Sequence, residues 1–293
     1  MSYLDRVAAC HRWDPEAYRP LVLGATRFGR VPHDLARRLA DFPDVFTVGA
    51  RAVSLNPALA DFESRTAAVQ AVAVRLNEAG EIPRLRGEDY PVVRRWGEAP
   101  LFRIDRGAAP TFGVRGFGVH VNGYVGDPEG GPGGDLEGLR LWVGKRAMDK
   151  ATAPGKLDHI IAGGQPYGLG ILENLIKEAG EEAGLAPELA RRAVPAGAVS
   201  YVCARDEGLR DDVLFCFDLQ VPDDVVPVNT DGEVEYFELW PMARVLETIR
   251  DTEAFKFNVS LVTLDFAIRR GLITPDDPDY QAIWEGLRPP APD

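Results

Sequence analysis

Between Gly163 and Leu185 the chain reads GGQPYGLGILENLIKEAGEEAGL, and this segment limits what can be built around it. Placed on a helix at roughly 100° per residue, Leu172, Leu175, Ile176, Ala179 and Ala183 share one side and form an apolar stripe that needs burial. Asn174, Glu178, Glu181 and Glu182 gather on another side. Glu178 lies three residues before Glu181 and four before Glu182, so their side chains emerge as neighbours. The regular helix is expected from Leu169 to Ala183, with Gly163–Gly164 ahead of it and Gly184 as the glycine that stops it.

Three carboxylates held so close oppose the helix that carries them. Each like-charged i,i+4 pair costs roughly 0.2–0.5 kcal/mol, and the helix dipole disfavours negative charge near a C-terminus. Local propensity alone does not place them there. A bound divalent cation removes both penalties, and carboxylate oxygens suit Mg²⁺, or Mn²⁺ in its place, which can also hold substrate phosphates. The competing reading is a solvated acidic face. The glycine pair and the Gly184 stop favour a site.

The surrounding pattern supplies a sheet for this helix. Val119, Val121 and Tyr124 predict one strand, and Leu139, Leu141 and Val143 alternate along a second. The linker between them, Gly126–Gly138, is glycine-rich, but it also holds Asp127, Glu129, Asp135 and Glu137. It reads as a flexible hairpin loop rather than a phosphate cradle. Ala198–Val202, Val213–Leu219 and Val234–Trp240 predict further strands, and Met242–Arg250 and Asn258–Arg270 helices. Before Gly113, Asp34–Asp41 and Thr66–Ala79 read as helices around a strand near Val45–Val53, and Arg106–Gly113 as a connector. The expected class is α/β (α+β), a mixed sheet with helices packed on it. The expected domains are 1–112, a smaller α/β unit of unknown role, and 113–287, which holds the acidic helix. A disordered tail, 288–293, should follow.

Charge and cysteine usage narrow the function. A formal net charge of −12 argues against a nucleic-acid backbone or an anionic membrane as partner. It also means that an anionic substrate needs local cations. Three cysteines, Cys10, Cys203 and Cys216, form no CxxC pair, which suits reduced, buried thiols. No stretch approaches 18 uninterrupted apolar residues, so the expectation is a chain without a membrane span, in the cytoplasm.

The acidic segment resembles the Nudix box, GX5EX7REUXEEXGU, where U is a bulky aliphatic residue. Gly163 matches the opening glycine, and Lys177-Glu178-Ala179-Gly180-Glu181-Glu182-Ala183-Gly184-Leu185 matches REUXEEXGU, with Lys for Arg and Ala as a small U. Leu169 stands where the first glutamate is expected; Glu173 lies four residues on, spaced to pair with Lys177. GVHVNGYV at 118–125, LWVGKR at 141–146, PGKLDHIIAGG at 154–164 and DGEVEYF at 231–237 are similar to one Nudix subfamily found in plants and fungi and fused to fungal thiamine pyrophosphokinase. The similarity covers most of residues 15–285. It implies a Nudix α/β/α sandwich and Mg²⁺-dependent hydrolysis of an organic diphosphate. Thiamine diphosphate or its oxidised analogues, such as oxythiamine diphosphate, are the leading substrates, giving the monophosphate and phosphate. Some plant relatives act under the names of ADP-ribose or dinucleotide hydrolases, which is the alternative. The same resemblance makes Glu178, Glu181 and Glu182 metal ligands, with the carbonyl of Ala162 as a further one.

Other residues are candidates for the same chemistry. Glu235, in an acidic loop before a strand, is chosen over Glu233 to complete the metal site or act as base. Arg146, Lys150 and Lys156 precede the glycine pair and are expected to hold phosphate, the Arg as a bidentate fork and the Lys as point charges. Gln165 and Tyr167 are expected to touch substrate, Tyr167 by stacking; Trp142 reads as core. His120 reads as a hydrogen-bonded structural histidine. Two other functions stay open: a non-catalytic Nudix-fold binding module, favoured by Leu169, and an isoprenoid diphosphate isomerase, which would need a working cysteine such as Cys203 or Cys216. The N-terminal domain is expected to shape the pocket, to form a homodimer interface, or both.

Overall fold

A computed structural model describes residues 2–126, 138–150 and 152–290. The linker call at Gly126–Gly138 falls mostly on residues outside that set, as do the last three residues of the tail. The described elements are α1 (Tyr3–Ala9), β1 (Tyr18–Leu23), β2 (Thr26–Pro32), α2 (His33–Arg38), β3 (Phe46–Val48), β4 (Val53–Leu55), α3 (Phe62–Glu78), β5 (Asp89–Val92), β6 (Phe102–Asp105), β7 (Arg115–Val125), β8 (Arg140–Arg146), β9 (Leu157–His159), β10 (Ile161–Gly164), α4 (Ile171–Ala183), α5 (Pro187–Ala190), β11 (Val194–Arg205), β12 (Gly208–Gln220), β13 (Val234–Pro241), α6 (Met242–Asp251), α7 (Val259–Arg269) and α8 (Tyr280–Gly286).

The larger sheet is mixed and runs β11-β12-β7-β8-β13, with β10 pairing on β7 and β9 on β8. Its centre is the parallel pair β12–β7, in register from Asp211↔Arg115 to Gln220↔Tyr124. Period-two alternation sends neighbouring residues of these strands to opposite faces. On one face Val119, Val121, Phe217 and Leu219 pack against Leu175, Ala179 and Ala183 of α4. On the other, Tyr124, Leu214 and Cys216 pack against the apolar sides of α6, α7 and α8. The architecture is therefore a mixed α/β sandwich, as the order of elements required. A separate four-stranded sheet, β2-β1-β4-β3, and the β5–β6 hairpin share a core with α3, from Leu21 to Val114.

Helix α1 does not follow the division at 112. Ser2 and Asp5 close its N-terminus reciprocally, at 2.7 and 3.2 Å, a capping box. Val7 and Cys10 are buried in the cluster that contains α6, α7 and α8. The Arg6 Nε–H donates to the Ile249 carbonyl at 2.8 Å, and His11 bonds the Gly286 carbonyl at 2.7 Å. At the other terminus, Arg288, which was expected to lie in a disordered tail, forms an ion pair with Asp265.

Candidate active site

Helix α4 starts two residues later than its pattern predicted and ends as expected, with Gly184 in the left-handed region at φ 60°. Glu173 does not pair with Lys177. Its carboxylate reaches back to accept the Gly170 N–H at 2.8 Å, satisfying one of the donors a helix leaves open at its start. Lys177 turns the other way and lies 3.2 Å from Glu178 and 2.6 Å from Glu181. The glycine pair has a geometric reason. A Cβ on Gly163 would overlap the Glu178 carboxyl, lying 2.6 Å from its Oε2, and one on Gly164 would overlap the Tyr90 hydroxyl. Asn174, fully buried, donates to the Gly164 carbonyl at 2.9 Å, which fixes the strand against the helix.

The three glutamates come together in different states. Glu181 is about half exposed, with 52% of its side chain open to solvent. Glu178 is mostly covered, and burial raises its pKa, Lys177 opposing the rise. Glu182 is 7% exposed; its Oε2 accepts the Ala162 N–H at 2.8 Å. Burial, then repulsion from Glu178, pushes its carboxyl up to about 8. All three face one cleft of about 720 Å³.

The other predicted residues divide. Arg146 and Lys150 line this cleft. Arg146 is buried and bonds Asp158 at 2.8 Å, and Lys150 forms an ion pair with Glu233. Lys156 is turned away: its ammonium donates to the Glu253 carbonyl at 2.6 Å, and the cleft-lining lysine from this region is Lys256, held 3.3 Å from Asp158. Glu235 is exposed on β13, whereas Glu233, two residues earlier, lines the cleft; strand alternation alone would put both on one face, and the register shift between Val234 and Tyr236 separates them. Gln165 is fully buried and donates to the Leu169 carbonyl at 2.8 Å, so it braces the connection instead of facing the cleft. Tyr167 stacks on Phe62 at 5.5 Å with Arg103 over its ring, holding the two halves of the chain together. Trp142 is core, as expected.

Sequence reasoning missed the contribution of the first half. Arg86, Glu88, Tyr90 and Arg106 line the cleft, Arg106 paired with Glu88 at 2.6 Å. Residues of the N-terminal region therefore line this cleft. Nothing in the local pattern of β5 and β6 marks these residues, because the register that brings them over Gly164 is tertiary. Behind His120, which lines the cleft, lies a buried cluster in which His120, Asp158 and His159 each offer a ligand atom within 4.8 Å of the others. The two histidines face each other Nδ1 to Nδ1 at 3.1 Å. Burial keeps both neutral, pushing His159 down to about 4. Asp158 is already neutralised by Arg146 and Lys256, whose charges repel a further cation.

Known proteins resemble this chain along nearly all of its length. Residues 2–116 match the family described as Domain of unknown function (DUF4743). The chain is 42% identical over 292 residues to Nudix hydrolase 24, chloroplastic, of Arabidopsis thaliana, covering 98% of this chain and 78% of that one. It is 39% identical to Nudix hydrolase 20, chloroplastic, of the same plant, again over 98% and 78%. Among solved structures, the MutT protein from Methanosarcina mazei Go1 aligns over 52% of this chain and 92% of its own, with 16% identity and a TM-score of 0.38. The acidic helix and the cleft above it, lined by arginines and lysines, form the candidate site. The chain belongs to the Nudix hydrolase family, as its likeness to the two plant enzymes shows. Both plant names carry the word chloroplastic, so the cytoplasm expected from composition gains no support from them. Among the described residues, no helix is long and apolar enough to cross a membrane.

Proposed function

We propose that this enzyme hydrolyses the phosphoanhydride of an organic diphosphate, with divalent cations held by Glu178, Glu181, Glu182 and the carbonyl of Ala162. The observation that carries the reading is the pair Glu178 and Glu182, one mostly covered and one buried, set one helical turn apart on a cleft. The donor set fits a hard cation: all oxygen, crowded, and packed on a glycine that leaves room for them. A divalent cation held by these residues would supply charge neutralisation on the phosphates and activation of water for attack at phosphorus.

The chain's own groups would then share the remaining work. Arg106 and Arg210 offer guanidinium forks to phosphate oxygens, and Lys150 and Lys256 offer point charges. Several of these are already paired with acids, Lys150 with Glu233 and Arg210 with Glu207 at 3.0 Å, so a phosphate exchanges one anion for another instead of meeting an unpaired cation. Glu233 takes the role that sequence spacing gave to Glu235. Placed at the cleft, it is the carboxylate that accepts the proton lost by the attacking water as the bridging P–O bond breaks. Tyr90 and Phe257 line the same cleft and suit a flat heteroaromatic ring.

Thiamine diphosphate or its oxidised analogues are the proposed substrates, supported by the similarity of four sequence runs to the subfamily described above; ADP-ribose or a dinucleotide is the second reading. A screen with Mg²⁺ on thiamine diphosphate, oxythiamine diphosphate, ADP-ribose and NADH, with substrate loss and products followed by chromatography, decides between them. Turnover of the first two and not the others supports the proposal. Preference for ADP-ribose or NADH replaces the substrate, and no turnover of any diphosphate with any divalent ion refutes hydrolysis by this cleft.

A further inference from the structure

We propose that His120 presents a fixed Nε2–H donor to a phosphate oxygen of the substrate, with His159 and Thr263 as positioning residues that set its tautomer. The inference rests on the reading of the cleft as a diphosphate site and adds a substrate contact to it.

Strand pairing puts the ring beside the proposed cation site. His120 on β7 is the register partner of Ala162 on β10, and residues directly opposite in an antiparallel pair have neighbouring side chains on one face. Ala162 gives its N–H to Glu182, and its carbonyl is a proposed cation ligand. Gly116, Gly118 and His120 alternate onto one face of β7, and all three line the cleft. That face therefore carries no side chain ahead of the ring. Arg146 and Lys256 line the same cleft and suit the same anion.

The tautomer follows from tracing protons outward from α7. Thr263 is fully buried. Among the described residues, the one hydrogen-bond partner of its hydroxyl is His159 Nε2, at 3.1 Å. A buried hydroxyl proton without an acceptor is costly, so Thr263 donates and His159 Nε2 accepts. A neutral imidazole that accepts at Nε2 carries its proton on Nδ1. His159 Nδ1 lies 3.1 Å from His120 Nδ1 and donates to it, which leaves the proton of His120 on Nε2. The opposite assignment strands the Thr263 proton.

Burial, then the charge of Lys256, holds the pKa of His120 well below its ordinary value, so the ring stays neutral with a single N–H. With Nδ1 spent on His159, Nε2 is the nitrogen left for a ligand. A neutral donor stabilises charge on a phosphate oxygen without the repulsion that an imidazolium would exert on a nearby metal ion.

Nitrogen-15 NMR of the histidines in the full chain at about pH 7.5, assigned residue by residue, reads the tautomers directly. His120 is expected as the Nε2–H form and His159 as the Nδ1–H form. Methylenediphosphonate with Mg²⁺ should shift His120 Nε2 and leave His159 nearly in place. Thr263→Val keeps the shape without the hydroxyl and should mix the two tautomers, while Thr263→Ser should restore the single one. In turnover, His120→Leu is expected to lose about a hundredfold in kcat, and His120→Gln, which keeps a side-chain N–H, to recover about tenfold of that loss. A His120 ring protonated at Nδ1, no shift with the diphosphonate, a single tautomer in Thr263→Val, or equal losses in the two His120 variants would overturn the proposal. A chain that turns over no diphosphate refutes the proposed function instead, and the spectra and the diphosphonate shift then decide on their own whether His120 is an anion-facing donor.

Discussion

The Oε2 of Glu182 accepts the N–H of Ala162 at 2.8 Å, so a carboxylate at the end of α4 is tied directly to strand β10. The bond fixes where that charge sits. It also leaves Glu182 buried, with Glu178 as its nearest acidic neighbour, and this has two measurable consequences. Glu182→Gln keeps the shape and removes the charge, and is expected to lose at least about a hundredfold in turnover with Mg²⁺, since metal-assisted activation supplies several kcal/mol. Near-normal turnover would remove Glu182 from the mechanism.

The second consequence is a pH dependence of stability in EDTA. The folded carboxyl titrates near 8 and the unfolded one near 4.5, so the unfolded state releases its proton first. Its contribution is therefore complete below about pH 4.5 and is lost as pH rises toward 8. Buried, neutral histidines such as His159, pushed down to about 4, act in the opposite direction between pH 4 and their ordinary range. Subtracting the Glu182→Gln melting curve from the wild-type one isolates the glutamate. The wild-type Tm should fall by about 4 °C or more relative to the variant between pH 5 and 8, and Mg²⁺ should reverse the fall. Parallel curves would show that Glu182 is ionised without cost.

Gly163→Ala tests the packing of helix on strand. The added methyl collides with the Glu178 carboxyl, a flexible group that can swing away, so the fold should survive with a Tm change of a few degrees. Activity should not: displacing Glu178 is expected to cost about a hundredfold in kcat, measured as phosphate release at saturating substrate and Mg²⁺. An active alanine variant would mean that Glu178 does its work from another position.

Lys150 and Lys156 are six residues apart and separate cleanly in the structure. Lys150→Met should raise KM at least about fivefold, because the ammonium lining the cleft is lost. Lys156→Met should leave both kinetic constants within about twofold of wild type, since its ammonium is spent on the Glu253 carbonyl. Reversal of that order would place the phosphate elsewhere.

The cysteines are expected to be inert. All three are buried; burial pushes Cys10 and Cys216 up to about 12 and raises Cys203 as well. Iodoacetamide at pH 8 should label the native chain at none of them within an hour, while the denatured chain reacts at all three. Cys203→Ser should retain hydrolysis, and a large loss there would revive the isomerase reading.

Periodicity carried the reading furthest where packing is local. The apolar stripe of α4, its Gly184 stop and the strands at β7, β8, β12 and β13 were legible because one face of each must be buried. Chemistry set by tertiary register was not. Glu233 and Glu235 look alike in DGEVEYF, and only the bulge before Tyr236 decides which reaches the cleft. Lys156 and Lys256 are a hundred positions apart, yet both flank the same short strand, β9. Glu173 was spaced equally well for Lys177 and for its own helix N-terminus, and the open backbone donor at Gly170 won. Tyr90 and Arg106 carried no local signal at all.

The anchoring of Tyr3–Ala9 on α6, α7 and α8 bears on how such a protein can be cut or evolve. A fragment starting near residue 113 keeps every box residue but exposes the pocket filled by Val7 and Cys10, each buried in the wild-type chain. The catalytic half thus wears the first ten residues of the other half as a clasp, and losing or exchanging the front of the gene would strip it of part of its own interior.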